Sequence, residues 1–313
     1  MRIGLQIPRF DWPGSPHNIG SKLIEIAKAA DEAGFSSLWV MDHFYQVGQG
    51  YGPPESHMLE GYSTMSYLAA VTKQIKLGLM VTSSFYRYPG VLVKTVTALD
   101  VLSGGRAYLG IGAGWYEQEA KGMGIPYPKT AGERLGRLRE TLQIAKHMWS
   151  GDTSSFTGKY YHLEHPVNNP QPLSKPHPPI LIGGGGEKVT LRLVAKYGDA
   201  SNLHLGAHPK LQGYTPRHRE YYRERIPRIT RKLSILKKHC QEAGRSFNEI
   251  ECTTLAPIKI APDAMTHDDV LDMCKELYEL GIHHAIFNMP NTHELEPIET
   301  IGQEVIPQVR DLA

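Results

Sequence analysis

Acid–base chemistry near neutral pH calls for an imidazole, and the dipeptide Asp42-His43 places one beside a carboxylate. The pair follows the apolar run Ser37-Leu38-Trp39-Val40-Met41, so it stands where a buried strand should end. A carboxylate there can orient a ligand or bias the imidazole's titration. The plainer reading is a solvated Asp-His loop. Gly183-Gly184-Gly185-Gly186 runs into Glu187-Lys188-Val189-Thr190, which opens a helix. Bare backbone N–H groups at a helix N-terminus suit a phosphate, and a simple glycine turn is the alternative. Gly110-Ile111-Gly112-Ala113-Gly114-Trp115 is not a dinucleotide fingerprint, because its final glycine is missing and Glu117 and Glu119 come too soon. Small residues would instead let a flat ring lie against the backbone, with Trp115 either a pocket wall or a core residue.

No metal site is expected: HxH, HExxH and CxxC patterns are absent, and His162-Leu163-Glu164-His165 reads as surface. Lys210 to His239 holds ten basic residues against two acidic ones. That stretch is a solvated helix face or a lure for an anionic ligand. Its tyrosines belong to no nucleic-acid module, so no nucleic-acid partner is expected.

These residues need strands to hold them. Apolar runs at Ile3–Ile7, Ser37–Met41, Ile75–Val81, Ala107–Ile111, Pro179–Ile182, Asp199–Leu203, Ile250–Ile260 and Ala285–Asn288 read as strands. Helical spacing follows each one, at Ile19–Ala33, Tyr62–Val71, Val91–Leu102, Leu135–Trp149, Lys188–Tyr197, Arg228–Ala243, Asp268–Leu280 and Pro297–Ile306, where Pro307 should end the chain's last helix. Eight strand–helix units in 313 residues fit a closed (β/α)8 barrel. An open doubly wound sheet fits less well, since no unit carries a full GxGxxG opening with an acidic strand end. The chain reads as one barrel domain over 1–313 with irregular insertions at about 151–179 and 205–227. Those insertions and the loop Gly48 to Glu60 should shape the substrate pocket.

Composition narrows the class. Hydrophobic residues at 41% and charged residues at 21% suit a globular protein, and a net charge of +2 gives no global signature of a nucleic-acid binder. No apolar run approaches a membrane span, no leader-like segment opens the chain, and three scattered cysteines make no disulfide framework. The expectation is a reduced, cytoplasmic protein without a membrane partner.

The run Ala29-Ala30-Asp31-Glu32-Ala33-Gly34-Phe35 through Leu38-Trp39-Val40-Met41-Asp42-His43-Phe44 resembles the start of the bacterial luciferase-like monooxygenase superfamily, in its coenzyme F420-dependent oxidoreductase branch. Leu77-Gly78 to Thr82, Leu99-Asp100 to Gly105-Arg106, Gly110 to Trp115, Pro178 to Gly184 and Asp199 to Asn202 match in the same order. The resemblance implies a TIM barrel with a deazaflavin at its C-terminal mouth and hydride transfer to or from a small organic carbonyl, alcohol or activated alkene. His43 would move the proton and Asp42 would orient the ring edge. Met80, Val81 and Thr82 would back the ring, with a non-proline cis peptide at Met80–Val81. Gly112, Ala113, Gly114 and Trp115 would line it, and Gly183, Gly184, Gly185, Gly186 and Glu187 would take the phosphate. The basic stretch, Arg217 and Arg219 foremost, would hold the coenzyme's oligoglutamate tail. A homodimer is expected on the same ground. Sugar-phosphate dehydrogenases of the branch carry a Trp and a Glu where this sequence has Val47 and Trp115, which weakens a sugar-phosphate substrate; Glu117 or Glu119 would have to substitute. Rival readings are an FMN-dependent two-component monooxygenase and a non-catalytic flavin-binding barrel.

Overall fold

Short apolar runs become strands and amphipathic stretches become the helices that cover them. The computed structural model describes residues 1–48 and 50–312; Gln49, within the Gly48–Glu60 loop, and Ala313 lie outside the described residues. In chain order the strands are β1 (Arg2–Ile7), β2 (Ser37–Val40), β3 (Lys76–Leu79), β4 (Thr82–Ser83), β5 (Leu109–Gly112), β6 (Phe156–Thr157), β7 (His162–Leu163), β8 (Ile180–Gly183), β9 (Ala200–His204), β10 (Glu251–Pro257) and β11 (His284–Asn288). The helices are α1 (Ile19–Glu32), α2 (Gly61–Ala69), α3 (Pro89–Leu102), α4 (Glu117–Gly122), α5 (Ala131–Trp149), α6 (Thr190–Tyr197), α7 (Pro216–Arg223), α8 (Arg225–Glu242), α9 (His267–Glu279), α10 (Glu296–Thr300) and α11 (Ile306–Arg310).

Nine strands pair in parallel in the order β3-β2-β1-β11-β10-β9-β8-β5-β4. The sheet closes where the Leu77 N–H donates to the Arg106 carbonyl at 2.8 Å and the Tyr108 N–H to the Leu77 carbonyl at 2.7 Å. β3 and β4 are halves of one barrel strand, parted at Met80–Val81, whose peptide is cis as the resemblance implied. The result is the (β/α)8 barrel read from the sequence, with its third strand ending at Leu79 rather than running to Val81.

Trp39 fills the barrel interior together with Met80, Tyr108, Leu181, Ala200 and Ile286. Its ring fits because Gly78 is bare, where a Cβ would lie 2.4 Å from the indole; Gly110 lets the Leu79 carbonyl approach, where a Cβ would lie 1.9 Å from its oxygen. Gly110 therefore serves packing. A polar cluster seals the N-terminal end. Trp39 Nε1 donates to Ser37 Oγ at 2.7 Å, and Ser37 Oγ lies 2.9 Å from His284 Nε2. His284 Nδ1 is 2.5 Å from Glu251, which also accepts from Tyr108 and pairs with Arg2.

Two expectations change. Residues 205–227, expected to be irregular, contain α7, which begins at Pro216, where a missing N–H costs nothing. The last helix does not stop at Pro307. The chain widens into a π-turn over Ile301–Val305, and Pro307 then falls in the first turn of α11. The proline-rich insertion carries the β6–β7 hairpin and cis bonds at Asn169–Pro170 and Lys175–Pro176. Among the described residues no helix is long and apolar enough to cross a membrane.

Candidate active site

A cavity of about 510 Å³ opens at the C-terminal ends of the strands. The loop after β2 brings Asp42 and His43 to it, and the β3–β4 junction brings Met80, Val81 and Thr82. Gly112 ends β5 and is followed by Ala113, Gly114 and Trp115, and Gly183 ends β8 and is followed by Gly184 and Gly185. Two expected residues stand apart. Gly186 does not line the cavity, and Glu187 turns to α8, bonding Arg231 at 2.9 Å and Lys232 at 2.9 Å. Bonds from Arg231 and Lys232 hold the Glu187 carboxyl down to about 2. The Glu187 side chain therefore faces α8, and a phosphate contact at this position would come from its backbone N–H.

His43 meets Glu119 rather than a carboxylate beside it in sequence. Its Nδ1 lies 3.0 and 3.2 Å from the two Glu119 oxygens. Glu119 is fully buried in the first turn of α4, and it also accepts from the backbone N–H of Phe44 at 2.5 Å, that of Tyr45 at 3.0 Å, and the Tyr86 hydroxyl. Burial alone would raise its pKa. The His43 bond and charge, with the Tyr86 and Tyr45 bonds, outweigh burial and hold it below the usual carboxyl range. Burial and the Glu119 carboxylate push the Tyr86 phenol up. With donors on every side the carboxylate form is the satisfied one. It fixes the Nδ1–H tautomer of His43 and leaves Nε2 to the cavity, with no partner among the described residues.

Asp42 is buried, and both its oxygens accept from Arg87, at 2.6 and 2.9 Å. Arg87 also bonds Thr82 at 3.2 Å, reaches Glu60 and lies 4.9 Å over the Tyr62 ring. Glu60 caps α2 by accepting the Ser63 N–H at 2.7 Å. Burial opposes its ionisation, but the Ser63 and Arg87 interactions hold its pKa below the ordinary value. Asp42 thus lines the cavity while the fork of Arg87 ties the loop after β2 to the start of α2. Tyr86, Arg87 and Glu60 were not anticipated. Each is a lone polar residue in a loop, without spacing that marks it, and Arg87 reaches Asp42 across 45 residues.

The basic stretch reaches the cavity through Arg228 and Lys232, not through the expected Arg217 and Arg219. Arg217 is exposed on α7, and Arg219 donates to the Leu211 carbonyl at 3.1 Å. Arg228 stacks 3.5 Å from the Tyr221 ring centre, and Lys232 donates to the Gly185 carbonyl at 2.6 Å.

Trp115, expected to be a wall, is 56% exposed, with its ring centre 5.7 Å from that of His43 and 4.9 Å from Tyr116. Among the described residues no cluster of three or more His, Cys, Asp or Glu side chains is set to hold a metal ion.

The family model described as luciferase-like monooxygenase matches residues 1–278. An F420-dependent glucose-6-phosphate dehydrogenase from Nakamurella multipartita is 26% identical over 338 aligned positions, covering 97% of both chains. Its counterpart from Kineococcus radiotolerans is 34% identical over 170 positions, 54% of this chain and about half (48%) of that one. The fold superposes on an F420-dependent secondary alcohol dehydrogenase, solved with an F420–acetone adduct, at a TM-score of 0.78, with 19% identity and coverage of 99% and 100% of the two chains.

Proposed function

The chain belongs to the luciferase-like monooxygenase family, and from that premise we propose that it is an F420-dependent oxidoreductase acting on a small carbonyl, alcohol or activated alkene. The observation that carries the reading is His43, held by a buried carboxylate with Nε2 facing a cavity that has one wall of bare backbone. The residues fit a flat ring with a phosphate-bearing tail. Val81 lies between Gly112 and Gly183, where an added Cβ would come within 3.0 Å of its side chain. Ser83 Oγ is buried at this wall without a partner among the described residues. A Cβ at Gly185 would meet nothing closer than 3.4 Å, so a side chain there would occupy cavity space. Lys232 stands beside that loop to receive an anion.

When bound, the deazaflavin supplies the two-electron, hydride-transfer half of the reaction. The chain supplies the rest. His43 Nε2 takes the hydroxyl proton of an alcohol or returns it to a carbonyl oxygen, while Glu119 keeps Nδ1 protonated. Asp42 and Arg87 hold the His43 loop in place. Relatives named as glucose-6-phosphate dehydrogenases support the cofactor, and the departures at Val47 and Trp115 leave the substrate open.

We further propose a homodimer. Val91, Ala98 and Leu102 along α3, with Tyr88 at its N-cap, are exposed apolar residues on a face that also carries Lys94; the opposite face is already buried, and a second copy would cover this one. A solution mass of one chain would refute this. The cofactor is tested by titrating the protein with F420 and, separately, FMN and following ligand fluorescence. F420 should bind tightly and FMN weakly; the opposite order overturns the reading.

A further inference from the structure

We propose that Trp115, backed by Tyr116, is the platform on which the substrate lies against His43, and that this substrate is a neutral, flat or apolar carbonyl or alcohol rather than a phosphate ester. The inference rests on the oxidoreductase reading, because it takes His43 Nε2 as the group that meets the substrate's oxygen.

The geometry starts with the indole. Trp12, Trp39 and Trp149 are 5%, 0% and 5% exposed, whereas Trp115 leaves 56% of its surface open beside the cavity. Tyr116 stacks on it with 9° between the planes, and the Tyr127 hydroxyl donates to the Trp115 carbonyl at 3.2 Å. The side chain is thus supported from behind and bare in front. Its ring centre lies 5.7 Å from that of His43 with 65° between the planes, and both side chains line the cavity, so a ligand bonded to the imidazole has the indole beside it. A large apolar surface held open beside a proton-handling group is what an apolar ligand needs.

Charge supports the same substrate class. The cations lining the cavity are Arg228 and Lys232, both on α8 beside the glycine loop. Arg228 donates to the carbonyls of His204, Leu205 and Tyr221 and Lys232 to that of Gly185, which places both cations on the side assigned to the cofactor's phosphate and away from His43. On the His43 side the guanidinium of Arg87 is covered by the carboxylates of Asp42 and Glu60. A phosphate beside His43 would face Asp42 and Glu119, with the Arg87 guanidinium on that side already paired, and an unpaired buried charge is costly. A second cavity of about 330 Å³ carries Arg9, Lys210 and Lys259 but shares no lining residue with the first. Two of its cations are already engaged, Lys210 by Asp269 and Lys259 by Asp263.

The test is calorimetric titration of the full-length protein, with and without F420, with acetophenone and with glucose 6-phosphate. It is repeated for Trp115→Ala and Trp115→Phe, with F420 affinity measured separately by fluorescence. Acetophenone should bind wild type, weaken on the order of tenfold in Trp115→Ala and recover in Trp115→Phe. Glucose 6-phosphate should give no binding heat, and F420 affinity should stay within about twofold across the three proteins. Binding of glucose 6-phosphate without acetophenone overturns the proposal. So does a Trp115→Ala loss of F420 affinity as large as the loss for the ketone, which would make the indole part of the cofactor seat. If wild type binds the ketone through Trp115 but does not bind F420, the platform stands and the cofactor assignment falls.

Discussion

The barrel carries a histidine–glutamate pair at each end, and their surroundings give them opposite uses. At the base, His284 is 2% exposed, with Nδ1 on Glu251 and Nε2 on Ser37, so both ring nitrogens are taken. At the mouth, His43 is 14% exposed, with Nδ1 on Glu119 and Nε2 left to the cavity. Both glutamates are held below the usual carboxyl range by their histidines against the cost of burial. The pairing alone does not make a reactive centre. One free nitrogen facing a ligand-sized space does, whereas the closed version ties strands together.

The largest expected break in the comparison comes from His43→Ala. It should lower kcat/KM by about 10²–10⁴-fold and, by taking one of several partners from the buried Glu119 carboxylate, cost on the order of 1–2 kcal/mol in unfolding. His284→Ala should cost about 2–4 kcal/mol in denaturant unfolding and leave kcat/KM near wild type. Equal loss of turnover in both would erase the distinction between the ends.

Glu119→Gln keeps the shape but gives up the charge and the fixed tautomer. It should lower kcat/KM on the order of tenfold and reshape the pH–rate profile, with F420 affinity unchanged. A variant whose profile keeps its wild-type shape would leave Glu119 a structural anchor of the Phe44–Tyr45 backbone.

Acid stability sharpens the base. A carboxyl with a lowered folded pKa stabilises fully above its ordinary value of 4.5 and loses that contribution as pH falls through the folded value. Glu251→Gln should therefore flatten the acid side of the stability curve while leaving its alkaline side parallel to wild type. An unchanged acid slope would show that other groups set it.

The smallest effect concerns the cofactor's tail. Lys232→Ala should weaken F420 binding by a few-fold, on the order of 1 kcal/mol, with a salt-sensitive loss, whereas Arg217→Ala should change little. The reverse ranking would return the tail to α7.

The fold was legible wherever one local signal sufficed. Continuous apolar runs such as Ser37–Met41 marked strands buried on both faces, and the strand-end rule then put Asp42 and His43 at the mouth. Partnerships were not legible. Asp42 and His43 are neighbours in sequence, yet each takes a partner far along the chain, Arg87 and Glu119, and no spacing announces contacts that only barrel closure makes. The glycines show the same limit. Gly110 and Gly112 look alike in sequence, but one yields space to the Leu79 carbonyl and the other lines the cavity. The helix α7 was missed because its residues, polar apart from the buried Tyr222, give little periodic signal.

The plug built around Trp39 has a bearing on traffic. With Tyr108, Leu181, Ala200 and Ile286 packed around that indole, the well above it is blind-ended. Two ligands that share such a well share one doorway, so the one seated deeper must arrive first and leave last. Where one ligand seats below the other, turnover in this barrel should run as a queue, with an excess of the shallower ligand trapping the deeper one behind it.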